Sequence, residues 1–132
     1  MAKKIANNIT ELIGRTPLIR VNRMNNTPGV ELLVKLESMN PGGSVKDRIG
    51  LHMIEAAEKS GELRPGKVIL EASSGNTAIG LAMVAVVKGY KLVVTMSESA
   101  SEERKKILRA YGVEIRLTPG ELGTDGAIEE AY

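Results

Sequence analysis

With 132 residues, 42% of them apolar, the chain has room for one domain with a real hydrophobic core and too little for two generous domains. Aromatic residues make up only 2%, Phe and Trp are absent, and 18 Lys and Arg face 16 Asp and Glu for a net charge of +2 spread along the chain; this argues against base-stacking platforms and polyanion partners. Cysteine is absent and His52 is the single histidine, which argues against disulfide scaffolds, thiol catalysis, Cys/His zinc sites and histidine-based triads.

Met1 to Thr10 contains no apolar core of a leader, and no stretch approaches the roughly 18 apolar residues of a membrane span. A soluble protein is expected, with the cytoplasm as its default compartment and neither nucleic acid nor membrane as a partner. Residues 17–23 and 31–37 are short apolar runs separated by Asn25-Asn26-Thr27-Pro28-Gly29, the pattern of two strands and a turn. From Val45 to Lys59 the apolar residues Val45, Ile49, Met53 and Ala56 recur at helical spacing, with Ser44 as candidate N-cap and Gly61 just past the end.

Lys67 to Glu71 reads as a strand, Ser73-Ser74-Gly75 as a turn, and Asn76 to Lys88 as a helix closed by Gly89. That helix is apolar on nearly every face, which predicts burial between layers. Lys91 to Thr95 is the next strand. A helix over 99–111 follows, in which Ser99 and Glu102 have the spacing of a capping box and Gly112 lies beyond the end. Val113 to Leu117 is a further strand, Pro119-Gly120 a turn, and a last helix is expected from Thr124 or Asp125 to Tyr132, apparently cut short.

Strands alternating with helices make consecutive β-α-β units, whose crossovers place the strands parallel. The expected class is therefore α/β: an open parallel sheet with helices on both faces, in three layers. Met24, Met39, Met53, Met83 and Met96 are expected to fill the core in place of Phe, and the basic run Arg104-Lys105-Lys106 to lie on a solvated helix face. His52 is given no role.

Two segments could carry chemistry. In Asn40-Pro41-Gly42-Gly43-Ser44-Val45-Lys46-Asp47-Arg48, a glycine-rich turn delivers Lys46 into the first turn of a helix. A lysine is nucleophilic only as the free amine, a form that the positive end of a helix and the nearby Arg48 would favour, so the setting suits a Schiff base. A solvated lysine behind a common Pro-Gly turn is the plainer reading. In Ser73-Ser74-Gly75-Asn76-Thr77, hydroxyls, an amide and free backbone N–H groups converge where a parallel strand ends and a helix begins, a place suited to a carboxylate or phosphate. An N-cap serving only its helix is the alternative. Gly75 and Gly80 do not fit a dinucleotide fingerprint and no phosphate-loop pattern occurs, so a nucleotide-binding half-domain is the weakest reading.

Taken together, Asn-Pro-Gly-Gly-Ser-Val-Lys-Asp-Arg at 40–48 and Ser-Gly-Asn-Thr at 74–77 resemble the cysteine synthase (O-acetylserine sulfhydrylase) family. The resemblance continues through Leu12-Ile13-Gly14-Arg15-Thr16-Pro17-Leu18, Ser97-Glu98-Ser99-Ala100-Ser101-Glu102-Glu103-Arg104 and Leu117-Thr118-Pro119-Gly120-Glu121. It departs from the family pattern at Glu71-Ala72-Ser73, where Glu-Pro-Thr is usual, and at Ala78, where glycine is usual.

The resemblance implies the smaller N-terminal domain of a fold-type II enzyme that uses pyridoxal 5'-phosphate, replacing the acetate of O-acetyl-L-serine by sulfide to give L-cysteine. It further implies that Lys46 holds the cofactor and, once released, takes the substrate's Cα proton. Asn76 would bond the cofactor's ring hydroxyl, and the loop Ser73, Ser74, Gly75, Asn76 and Thr77 would grip the substrate carboxylate. By the same resemblance, residues 1–37 form a segment whose two strands pair with a larger domain, and 38–132 a small lysine and carboxylate domain cut within its last helix. The family's cofactor-phosphate loop and its partner for the pyridine nitrogen belong to a second half that this chain lacks. A homodimer, and docking of a serine acetyltransferase C-terminal tail, are family expectations. Cystathionine β-synthase or a serine or threonine dehydratase are alternatives within the same chemistry; a truncated, non-catalytic binding or regulatory module is the alternative outside it.

Overall fold

A computed structural model describes residues 5–132, so the first four residues of the leader reading and of the 1–37 segment lie outside it. Two sheets form. β1 (Leu18–Arg20) and β2 (Leu33–Lys35) pair antiparallel as a two-stranded ribbon, shorter than the apolar runs that contain them. β3 (Val68–Ala72), β4 (Lys91–Ser97) and β5 (Glu114–Thr118) form a parallel sheet in the order β3-β4-β5. The helices are α1 (Lys46–Ser60), α2 (Asn76–Lys88), α3 (Glu102–Ala110) and α4 (Gly123–Ala131).

The expected parallel α/β sheet is present, and the alternation of β4 shows why it has helices on both faces. Leu92, Val94 and Met96 point one way, into a core with Ala78, Leu81, Val84 and Ala85 of α2 and Leu108 of α3. Thr95 points the other way, where its hydroxyl donates to the carbonyl of Ala127 in α4 at 2.7 Å. Residues 78–85 of α2 are buried without a break. A helix placed between a sheet and another helix has little face left for water, and full burial of a side chain such as Leu81 stabilises by about 2–3 kcal/mol.

Several local expectations fail, each for a packing reason. The stripe Val45, Ile49, Met53 and Ala56 does not face the core; Gly50 and Ile54 are the buried positions of α1, with Asp47. The contact with α2 selects small residues: a Cβ on Gly50 would lie 2.7 Å from the carbonyl carbon of Gly80, and a Cβ on Gly80 2.7 Å from the carbonyl oxygen of Lys46. Met83 and Met96 do fill the core, whereas Met24, Met39 and Met53 are exposed. Ser44 does serve the start of α1: its hydroxyl accepts from the Lys46 amide at 3.2 Å, with Val45 between them in helical conformation. Ser99 and Glu102 do not form a capping box: α3 is capped by Ser101, whose hydroxyl accepts from the Arg104 amide at 3.5 Å. Ser99 turns instead to Ser97, their hydroxyls 2.7 Å apart. No helix of the described residues is long and apolar enough to cross a membrane.

Candidate functional site

The two helices that begin at the chemistry-bearing segments run side by side in the same direction. Lys46 and Gly50 meet Gly80 near one end; near the other, Glu58 accepts from Lys88 Nζ at 2.7 Å and from the Tyr90 hydroxyl at 2.9 Å. Parallel helices in contact present their N-termini at one end. Lys46, the first residue of α1, and Asn76, the first of α2, therefore lie on the same side of the molecule, by the carboxyl end of β3.

Apart from Ser73 and Gly75, which bond to each other, the residues singled out have unengaged side chains. Among the described residues, the Lys46 amine, the Ser74 hydroxyl, the Asn76 amide group and the Thr77 hydroxyl have no hydrogen-bond or ion-pair partner within the chain. Asn76 is exposed, and Lys46, Ser73, Ser74, Gly75 and Thr77 are half-buried. Gly75 precedes α2 in extended conformation and supplies no side-chain cap, so the first N–H groups of the helix keep their donor capacity and the positive end of its dipole. Ser73 shapes the loop rather than capping the helix: its hydroxyl accepts from the Gly75 amide at 3.2 Å.

The loop continues into a cleft of about 130 Å³ lined by Ser73, Ser74, Ser97, Ser99 and Thr124 among others. Lys46, Asn76 and Thr77 are not part of its wall. A larger apolar cleft of about 320 Å³ between α1 and β3 contains none of the candidate residues.

Arg48 and Lys105 differ from the sequence expectation, whereas Arg104 is exposed as expected. Arg48 does not stand free beside Lys46: its guanidinium pairs with Glu37, Nε to Oε2 at 2.7 Å and Nη2 to Oε1 at 3.0 Å. That pairing, with hydrogen bonds from Thr16 and Asn40, holds the Glu37 carboxyl down to about 2. Lys105 is buried rather than solvated, its ammonium donating to the Glu98 carbonyl at 2.7 Å and to the Glu102 carboxylate at 2.8 Å. Arg104 reaches across to the Ser74 carbonyl at 3.3 Å, which ties the serine loop to α3.

Asp47, the residue after the lysine in its motif, has a fully buried carboxylate. Oδ2 accepts from the Gly42 amide at 2.5 Å and Oδ1 has no partner; burial pushes this carboxyl above the usual aspartate range. Asp47 thus holds the glycine turn against the helix that follows it. The linear signal for Glu37 and Thr16 was weak, because they lie 11 and 32 residues from the arginine they meet.

Residues 9–132 match the family described as pyridoxal-phosphate dependent enzymes. The cysteine synthase of Staphylococcus aureus (strain Mu50 / ATCC 700699) is 52% identical over 131 residues, which is 99% of this chain and 42% of that protein. Among solved structures, cysteine synthase from Entamoeba histolytica superposes with a TM-score of 0.92 at 44% identity, covering 98% of this chain and 40% of the other. The O-acetylserine-dependent cystathionine β-synthase from Helicobacter pylori superposes at 0.86 with 35% identity, covering 97% and 42%. The chain thus spans about two-fifths of the length of these relatives, and by its match over 9–132 it belongs to the family of pyridoxal-phosphate dependent enzymes.

Proposed function

We propose that this chain is the lysine- and carboxylate-binding part of a cysteine synthase, which replaces the acetate of O-acetyl-L-serine by sulfide to form L-cysteine. The observation that carries the reading is the pairing of two helix starts: an unengaged lysine amine at the first residue of α1 and an uncapped N-terminus at α2, kept side by side by Gly50 and Gly80. The donor set fits pyridoxal phosphate, since an amine, an amide and open backbone N–H groups are what its aldehyde, ring hydroxyl and an accompanying carboxylate require.

When bound, the cofactor supplies an aldehyde for an amine and a ring that takes up electron density. The chain's own residues do the rest. Lys46 would hold the aldehyde through its amine, and the same Nζ, once free, would receive the Cα proton. The N–H groups of the 73–77 loop and the α2 dipole hold the substrate carboxylate and so orient its Cα–H toward that amine. The Asn76 side chain would donate to the ring hydroxyl. A soluble, cytoplasmic homodimer and a serine acetyltransferase tail as partner belong to the same reading.

One neighbour favours a second outcome of the same chemistry. The likeness to an O-acetylserine-dependent cystathionine β-synthase supports the same leaving group with a larger thiol as acceptor.

The test is reductive trapping. The protein is mixed with pyridoxal phosphate, reduced with borohydride and mapped by peptide mass. Label is expected at Lys46 ahead of the other lysines, and Lys46→Ala removes it; even labelling across the lysines would sink the reading. In unreduced protein mixed with pyridoxal phosphate, product formation from O-acetyl-L-serine with sulfide, against a thiol amino acid, separates the two acceptors.

A further inference from the structure

Lys46 sits at the end of a turn whose position is set from outside α1. Glu37 lies at the centre of that arrangement. Its two carboxylate oxygens receive Arg48 at 2.7 and 3.0 Å, the Thr16 hydroxyl at 2.7 Å and the Asn40 amide at 2.9 Å. Arg48 in turn donates to the Gly14 carbonyl at 2.9 Å and the Thr16 hydroxyl at 3.1 Å, while Asn40 Oδ1 accepts from the Gly14 amide at 2.9 Å. Thr16 and Asn40 are almost completely buried. Gly14 is required at its place: its φ is +85°, and a Cβ there would stand 2.8 Å from Arg48 Nη1.

The consequence is geometric. Asn40 opens the turn that Lys46 closes, and its backbone carbonyl accepts from Gly43 at 2.8 Å inside that turn. Arg48 lies two residues after Lys46 on the same helix. Glu37 therefore grips both flanks of the lysine turn and anchors them to residues 14–16, which lead into β1. A bidentate arginine–carboxylate pair with further donors on the same oxygens is more directional than a lone surface ion pair.

We infer that Glu37 is a positioning residue that sets the place of the Lys46 amine by clamping Arg48 and Asn40 to the 14–16 segment. The inference rests on the proposed role of Lys46, and its test separates the two. Wild type, Glu37→Gln and the milder Arg48→Lys are compared in the full chain by hydrogen exchange of the Gly14, Gly42 and Gly43 amides, and by the rate of reductive pyridoxal phosphate labelling at Lys46 relative to the other lysines. Glu37→Gln is expected to speed exchange at those amides about tenfold and to lower relative Lys46 labelling about fivefold. Arg48→Lys keeps the charge but loses the fork, and should fall between the two. Unchanged exchange in both variants overturns the clamp. Faster exchange with unchanged relative labelling overturns the positioning role, leaving Glu37 a stabiliser only. Should wild-type Lys46 take no preferential label, the functional reading falls and exchange alone decides the clamp.

Discussion

β4 and the β1-β2 ribbon are both built from short apolar runs, yet they meet opposite fates. From Leu92 to Ser97 every residue of β4 is buried, whereas all six residues of β1 and β2 are exposed. Strand propensity does not separate them. β4 has a partner strand on each side, α2 on one face and α4 on the other; the ribbon has its own two strands and little else, a form that is marginal in water by itself. What holds the ribbon's base in place is polar. The Lys35 ammonium donates to the Thr16 carbonyl, and the Glu37 network binds residues 14–16. One region is therefore stabilised by burial and the other by hydrogen bonds and charge.

Mutations should divide along that line. The largest effect is expected from Met96→Ala, which opens a cavity where no part of the side chain reaches solvent and should cost about 3 kcal/mol in denaturant unfolding. Gly80→Ala comes next, at about 2 kcal/mol, because its Cβ meets backbone that cannot swing away; a stability equal to wild type would mean that α1 and α2 can separate at no cost.

Acid should act on the other region. Glu37 has its carboxyl lowered from 4.5 to about 2, so its contribution is fully present above the unfolded value and is lost as pH falls from 4.5 through 2. The stability difference between wild type and Glu37→Gln is therefore expected to be constant near neutrality and to vanish below that window, as followed by unfolding at a series of pH values. The smallest effect is expected from Leu18→Ala in the ribbon, under about 0.5 kcal/mol, since the side chain is 62% exposed. A loss as large as that of Met96→Ala would show that the ribbon is packed in solution against something further.

Much of the molecule was legible along the chain. Gly61 and Gly89 end α1 and α2 in the left-handed conformation expected of them, and the alternation of strand and helix from 67 to 118 gave the parallel sheet. The lysine and serine segments were also visible, because their glycines and hydroxyls sit next to one another in the chain. The cap of α3 falls on Ser101 rather than Ser99 because a hydroxyl chooses among nearby acceptors and donors by geometry, and Ser99 finds Ser97. Three of the five methionines assigned to the core lie outside it, since volume alone does not say which elements will cover a side chain.

The linear order of residues determined which segments become strands and helices and which carry an amine or open N–H groups, because those properties depend on spacing over a few positions. Only the tertiary structure decided that Gly50 meets Gly80, that Arg48 is occupied by Glu37, and that Asp47 is buried with an oxygen left over. Those outcomes depend on close packing and desolvation between groups far apart in the chain, and neither is a property of any local stretch.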